Sequence, residues 1–341
     1  MSTKALMRAA FCGLVACATL SAGPTEFGQQ ELKAALAERG ITLNVSTELN
    51  LDQPETFHIS SITSTSARIS GGDLRGLMYG LIEASEQIRA TGKLTLSSGE
   101  PGMRLRSVRI APLDTDLATQ GFYSTDRWMK FFQMLARNRV NRATLVLPPE
   151  KLEGDRIRFL STLARDHGVD FHVGIRAALG PRTLTAQLRK MLTECVLVRG
   201  IQIEVGREPV DFYRTVVFPA LQEAGRRVTL DLRGGEARPD VLRAAQAAGL
   251  VLEIASRTVG GALEGPFHAV VTAQSVASEV DAVRGRLNIL VNTGATGVEV
   301  DLAGVNIDNY ERVYWTWGRL GYDYRSPGLS AGKPAPKPTK K

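Results

Sequence analysis

From about residue 103 to residue 325 the chain alternates short apolar strands with amphipathic helices. That rhythm leaves few folds open. Strands are predicted at Leu105–Ala111, Arg142–Leu147, Asp170–Arg176, Gly200–Val205, Arg227–Leu232, Leu250–Ala255, Ala269–Ala273 and Gly297–Leu302. Helices fit between them at Thr125–Asn138, Asp155–His167, Thr183–Cys195, Phe212–Ala224, Pro239–Ala248 and Ser278–Val291, with a last one at Asp308–Leu320. Between strands six and seven no helix is legible. Eight strands and their helices in this length match a (β/α)₈ TIM-type barrel. The alternative is a doubly wound open sheet. Against it, no glycine-rich phosphate loop follows any strand.

Residues 28–102 read as a separate small α/β sandwich domain ahead of the barrel. A helix over Glu31–Arg39 is closed by Gly40. Strands are expected at Ile41–Val45, Phe57–Ile59, Ala67–Ile69 and Lys93–Leu96. A second helix over Asp73–Ala90 carries Leu74, Leu77, Met78, Leu81, Ile82 and Ile88 at helical spacing. The whole fold is thus expected to be α/β, a sandwich followed by a barrel.

The two ends have a different character. Residues 1–23 have the form of a signal peptide: Lys4 and Arg8, then an apolar run from Ala9 to Ala16 too short to span a bilayer. Leu14-Val15-Ala16-Cys17 fits a bacterial lipobox, with Cys17 as the lipidated residue and a membrane anchor. The rivals are ordinary cleavage after a small residue near Ala22, and a disordered N-terminus of a cytosolic protein. Residues 326–341, rich in Pro, Gly and Lys, read as a disordered basic tail. The formal net charge is +7. Lys4, Arg8, Lys333, Lys337, Lys340 and Lys341 lie in these ends, which contain no acid, so the body keeps only +1. A nucleic-acid binder carries its excess charge on a folded face, so no nucleic-acid partner is expected. The oligomeric state is not legible.

In a barrel, alternate strand residues point into the centre while their apolar neighbours meet the helices. Val228, Leu230 and Leu232 face outward, which turns Thr229, Asp231 and Arg233 inward. The same parity places Gln202, Glu204, His172, Arg176, Arg109, Thr144, Glu253, Thr272, Glu299 and Asp301 inside. That interior is unusually charged. Buried ions are costly unless paired. One reading is a structural network in which Glu204, Asp231 and Glu253 pair with Arg176, Arg233 and Arg109. The other is a sugar site, with carboxylates for acid/base work and Arg109, His172, Arg176, Arg233, Glu253 and Asp301 around a substrate.

Other chemistry finds no support. The four histidines, His58, His167, His172 and His268, are scattered, and no His/Cys spacing suggests zinc. No metal or cofactor is expected. Of three cysteines, Cys12 and Cys17 lie in the leader, and Cys195 reads as a buried small hydrophobe. There is no G-x-S-x-G elbow. Tyr310, Tyr314, Trp315 and Trp317 could stack on sugars, but their helical spacing reads equally as core.

Three stretches resemble a known group. Gly71-Gly72-Asp73-Leu74-Arg75-Gly76-Leu77-Met78-Tyr79-Gly80-Leu81 is similar to the end of the small domain that precedes the barrel in β-N-acetylhexosaminidases and α-glucuronidases. Arg104-Leu105-Arg106, Trp128-Met129 and Arg137-Asn138-Arg139-Val140-Asn141 resemble the first barrel strand and helix of those enzymes. Tyr314-Trp315-Thr316-Trp317-Gly318-Arg319-Leu320-Gly321-Tyr322-Asp323 resembles the ending of related bacterial glycoside-hydrolase-like proteins. The resemblance implies a glycan-directed barrel with its site at the C-terminal strand ends. It places the acid at the end of strand four, on Glu204 or Glu208, with Asp231 or Glu253 as the second carboxyl that hydrolysis requires. The sequence departs from hexosaminidases at Glu204-Val205-Gly206-Arg207-Glu208-Pro209, which lacks their adjacent Asp-Glu pair and so the basis for substrate-assisted chemistry. The expectation is an exported, glycoside-hydrolase-like protein of the cell envelope that acts on or binds a glycan. Its βα loops are short, which keeps open a non-catalytic barrel binding carbohydrate or a protein partner.

Overall fold

The structure is a computed structural model. It describes residues 23–50, 52–112, 120–148, 151–175, 181–234, 238–256, 266–272, 279–304 and 306–323. The expected leader, with Cys17, and the tail lie outside the described residues, as does Arg176. No helix among the described residues is long and apolar enough to cross a membrane.

The small N-terminal unit is a sheet covered by two helices. Strands β1 (Asn44–Leu49), β2 (Phe57–Ser60), β3 (Ser66–Gly71) and β4 (Ser97–Gly99) lie in the order β1-β3-β2-β4. The β1–β3 pair is parallel, and β2 is antiparallel to both β3 and β4. Helix α1 (Pro24–Arg39) packs along α2 (Leu74–Thr91), and Phe27, Leu32, Phe57, Ile69, Met78 and Leu81 fill the space beneath them. Asp73 caps α2 by accepting the Gly76 N–H.

Three elements differ from expectation. Helix α1 begins at Pro24 rather than Glu31, because Phe27 and Gly28 pack against α2 where the local pattern is polar. Strand β1 starts at Asn44, where pairing with Ser66 begins. Strand β4 forms at Ser97, the residue that pairs with Ile59, and not at Lys93–Leu96. In each case tertiary pairing overrides local propensity.

The second unit is a closed parallel barrel. Its strands are β5 (Leu105–Ile110), β6 (Arg142–Leu147), β7 (Asp170–Ile175), β8 (Val198–Glu204), β9 (Thr229–Arg233), β10 (Val251–Ser256), β11 (Phe267–Thr272) and β12 (Gly297–Asp301), and β12 closes on β5. Around it lie α3 (Thr125–Arg137), α4 (Gly154–Asp166), α5 (Pro181–Glu194), α6 (210–222), α7 (Pro239–Ala247), α8 (Val280–Asn292) and α9 (Glu311–Tyr322). The expected (β/α)₈ barrel is therefore what forms. The stretch expected to lack a helix, after strand six, falls mostly on residues outside the described ones. Helix α6 widens into a π turn over Tyr213–Val217, just before Pro219. Pro219 has no N–H to offer and its ring would press on the carbonyl one turn back, so the helix loosens there.

The outward strand residues Val108, Leu145, Val173, Ile201, Leu230, Ile254, Val271 and Val300 form one core with the helices. Tyr314 and Trp317 belong to that core, and Trp315 is half-buried, so this cluster packs rather than lines a cleft. Cys195 is a buried free thiol, pushed up to about 11 by burial.

The two units meet at the N-terminal end of the barrel through a polar knot centred on Glu55. One Glu55 carboxylate oxygen accepts from Arg75 (2.7 Å) and Asn141 (2.9 Å), and the other from Arg106. The Glu55 N–H donates to Asp73 (3.0 Å), and its carbonyl accepts from the Tyr322 hydroxyl (2.6 Å). Arg75 also reaches Asp170 at 3.0 Å. Arg106 donates to the carbonyls of Arg139 (2.7 Å) and Met103 (2.6 Å). Glu55 sits at φ 66°, a costly conformation for a residue with a Cβ. It is held there because its N–H, carbonyl and carboxylate are all engaged. Two glycines let the backbones close on this knot: a Cβ on Gly76 would collide with the Thr56 carbonyl, and one on Gly318 with the Asn138 carbonyl.

Candidate functional site

The barrel interior is built by the parity of its strands. Arg109 on β5, Gln202 on β8, Asp231 and Arg233 on β9, His268 on β11, and Glu299 and Asp301 on β12 all turn inward, and all are buried. They touch one another. Arg109 donates to Gln202 (2.8 Å) and to Asp301 (3.0 Å). Arg233 donates to Glu299 (2.7 Å) and also binds Asp301. The Gln202 amide nitrogen donates to Asp231 and to Glu299, each at 2.9 Å. His268 Nε2 lies 3.7 Å from Asp231 and 4.0 Å from Glu299.

This pairing differs from the expected one. Asp231 was expected beside Arg233 and Glu253 beside Arg109. Instead Arg233 reaches across to β12, because adjacent inward residues of one strand occupy different layers of the barrel. Glu253 is bound from the opposite wall by Arg142, the first residue of β6, at 2.6 and 3.2 Å. Glu299, Asp301 and Glu253 thus each have an arginine, while Asp231 is hydrogen-bonded by an amide.

The centre is also incompletely satisfied. Asp231 Oδ1, His268 Nε2 and Arg233 Nε are buried with no hydrogen-bond partner. The same holds for Ser107 Oγ, Thr144 Oγ1, Arg142 Nε and His172 Nδ1. An unpaired buried polar group costs about 1–3 kcal/mol, so such a cluster requires a reason.

The protonation pattern follows from burial. Asp231 is wholly buried, and desolvation pushes its carboxyl up to about 6 against the pull of Arg142 and Gln202. Burial likewise raises Glu299, although the nearby His268 and Arg233 work the other way. His268 is driven down to about 4 by burial, with Glu299 opposing. His172 falls well below the usual histidine range, through burial and then the Arg142 charge. Glu253 goes the other way: Arg142 outweighs its burial and lowers it.

The residues proposed from sequence separate into two groups. Arg109, Asp231, Arg233 and Asp301 are brought together in the centre. His172 and Glu253 lie inside too, near Arg142. Glu204 continues the inward parity of Gln202 but is exposed, at the end of β8. Glu208 is half-buried in the following loop. That loop is pinned by Arg238, which donates to the carbonyls of Gly206 (2.8 Å) and Glu208 (3.1 Å), and by the Tyr213 hydroxyl, which accepts the Gly206 N–H (3.3 Å).

Sequence reasoning placed Gln202 and Glu299 inside without giving them a role, and it missed Arg142 and His268. The signal for His268 was present. Counting back by twos from Thr272 through Val270 reaches it, but the strand was expected to start one residue later, at Ala269.

The side chains of Asp231, His268 and Glu299 each offer a ligand atom, and these lie within 4.8 Å of one another. They come from three strands, so no local spacing in the sequence could reveal the group.

No family model matches the sequence, and no curated protein matches it. Solved structures do match in fold. A GH138 enzyme targeting pectin rhamnogalacturonan II is similar at a TM-score of 0.73 and 16% identity, over 89% of this chain and 62% of that one. A family GH115 4-O-methyl-α-glucuronidase with specificity for decorated arabinogalactans matches at 0.62 and 12% identity, over 89% and 55%. A glycoside hydrolase family 20 β-N-acetylglucosaminidase matches at 0.53 and 11% identity, over 86% of each chain. The chain thus spans less than two thirds of the length of the first two. It shares with these glycoside hydrolases a fold that takes in both the small domain and the barrel.

Proposed function

We propose that this chain is an exported, glycoside-hydrolase-like protein that binds a glycan at the C-terminal mouth of its barrel, and that its inner carboxylates serve the barrel rather than hydrolysis. The fold it shares with glycan-acting enzymes supports the glycan. One observation carries the binding role. Hydrolysis needs two carboxyl groups facing one glycosidic bond. Glu299 and Asp301 are held by Arg233, Asp301 also by Arg109, and Glu253 by Arg142, while Asp231 is fully buried.

A second reading rests on Glu204. It is an exposed carboxylate at the end of the fourth barrel strand, where an acid catalyst could meet a substrate, and Glu208 in the following loop is the candidate partner. Export rests on Lys4, Arg8, the apolar run to Ala16 and the lipobox at Cys17. Fractionation of cells making a Cys17→Ala variant tests the anchor: the protein should leave the membrane fraction.

The deciding experiment incubates the purified protein with chromogenic glucuronides, galacturonides and N-acetylhexosaminides, and in parallel with an oligosaccharide array. Binding without turnover is expected. Turnover abolished by Glu204→Gln or Glu208→Gln would replace this reading with the hydrolase.

A further inference from the structure

We infer that the barrel centre holds a divalent transition-metal ion, Zn²⁺ or Mn²⁺, ligated by Asp231, His268 and Glu299. Three observations converge on it. The first is the donor set. One imidazole nitrogen and two carboxylate oxygens, from β9, β11 and β12, meet inside one half of the closed barrel. That mixture suits borderline cations such as Zn²⁺ and Mn²⁺. Metal–ligand bonds of about 2.0–2.2 Å set ligand atoms roughly 3–3.5 Å apart. His268 Nε2 stands 3.7 Å from Asp231 Oδ2 and 4.0 Å from Glu299 Oε2, and all three ligand atoms lie within 4.8 Å of one another, so each must draw inward to close the site.

The second observation is that two of the three donor side chains carry a buried polar atom with no partner. Asp231 Oδ1 and His268 Nε2 are buried and unpartnered. An ion held by His268 Nε2 and by both oxygens of Asp231 would satisfy both, Oδ2 being the oxygen 3.7 Å from that nitrogen. A third residue already orients the oxygens. The Gln202 amide donates to Asp231 Oδ2 and Glu299 Oε2, and Arg109 donates to the Gln202 carbonyl oxygen. Such outer hydrogen bonds aim metal ligands and hold their geometry.

The third is charge. Arg142 and Glu253 neutralise one another. What remains is two arginines, Arg109 and Arg233, facing three carboxylates, Asp231, Glu299 and Asp301. An uncompensated buried anion is costly, and this deficit of one charge draws a cation to the three ligands, a divalent ion turning it into an excess of one. The rival supplier of positive charge is a proton on Asp231, and the two are separable by experiment.

The test uses the full chain without a histidine tag, stripped with chelator and dialysed. Titration calorimetry with ZnCl₂ and with MnCl₂ near pH 7.5 should give one site per chain. Asp231→Asn and His268→Gln, checked for native circular dichroism, should each weaken it by at least ~10-fold. Substituting Co²⁺ gives a readout on the native chain alone: visible d–d absorption of a nitrogen/oxygen-ligated ion, appearing with one equivalent. If both variants fail to fold, that spectrum decides. No stoichiometric uptake and no Co²⁺ band would overturn the inference and leave the proton. So would uptake that persists undiminished in folded variants, which would mark surface binding.

Discussion

Two buried acids in this molecule face opposite treatment. Glu55, at the junction of the two units, has both oxygens engaged by Arg75, Arg106 and Asn141. Burial would raise its pKa, but Arg106 and Arg75 outweigh burial and hold it at about 2. Asp231, in the barrel centre, is equally buried yet receives only an amide on one oxygen and nothing on the other. Its carboxyl rises to about 6. With its central acid engaged on every polar atom, although Arg75 Nε and Arg139 Nε lack partners, the knot specifies how two units dock. A buried acid left partly unengaged is a standing cost, and a chain keeps it where something else completes it.

Breaking the junction should cost most. Arg106→Ala would leave Glu55 Oε2 without its partner, together with the Arg139 and Met103 carbonyls, while Arg75 and Asn141 keep the other oxygen. Removing one partner of a buried ion pair costs about 3–5 kcal/mol. Urea unfolding should show the unfolding free energy extrapolated to water falling by that amount. A loss below about 1 kcal/mol would mean that the knot is solvated in solution and that the comparison fails.

The pH response should sharpen it. Glu55 is depressed when folded, so its contribution is present above its unfolded pKa near 4.5 and disappears as pH falls toward 2. Asp231 is raised when folded. Its contribution is fully present below about 3.8 and disappears as pH climbs through about 6. Each is worth on the order of 3 kcal/mol by the shift involved. His268 and His172, both held low by burial, work the other way across this window, so in metal-free protein Asp231→Asn should make the slope of stability against pH between 4 and 6 more positive while leaving the acid limb intact. Denaturation at pH 3, 5 and 7 measures both limbs. An unchanged slope between pH 4 and 6 would mean that Asp231 is ionised throughout.

The same contrast explains what was legible in the sequence. The barrel was readable because outward residues such as Leu230 and Val300 must be apolar to meet helices, which leaves a strict period of two. The stretches that carried the resemblance turn out to build the junction. Arg75 and Tyr79 sit in the Glu55 knot, Gly76 and Gly318 permit the close approach, and Tyr322 caps the Glu55 carbonyl. Those are contacts that a local motif can encode. The centre is different. Parity told which residues point inward, but not which pairs meet. Arg233 binding Glu299, or Gln202 bridging Asp231 and Glu299, depends on barrel height and strand tilt across gaps of 29 to 97 residues.

A smaller effect tests whether the junction depends on its neutral members. Tyr322→Phe removes the hydroxyl that satisfies the Glu55 carbonyl at 2.6 Å but keeps the ring against Tyr79 and Arg139. A buried carbonyl left without its donor costs about 1–3 kcal/mol. The loss should fall below that of Arg106→Ala and be independent of pH between 5 and 8. A loss equal to that of Arg106→Ala would mean that the knot is a single cooperative unit.

The smallest expected change lies at the mouth. Glu204 is exposed, so Glu204→Gln should alter stability by no more than about 0.5 kcal/mol, the usual range for surface substitutions. It removes a charge but keeps shape and a hydrogen-bonding group. If the mouth binds a glycan, affinity on the array should drop while the unfolding curve stays put. Asp231→Asn should do the reverse, changing the pH dependence of folding but not glycan affinity, since Asp231 is sealed beneath. A variant pair that fails to separate in this way, with Glu204→Gln destabilising or Asp231→Asn abolishing glycan binding, would place centre and mouth in one site.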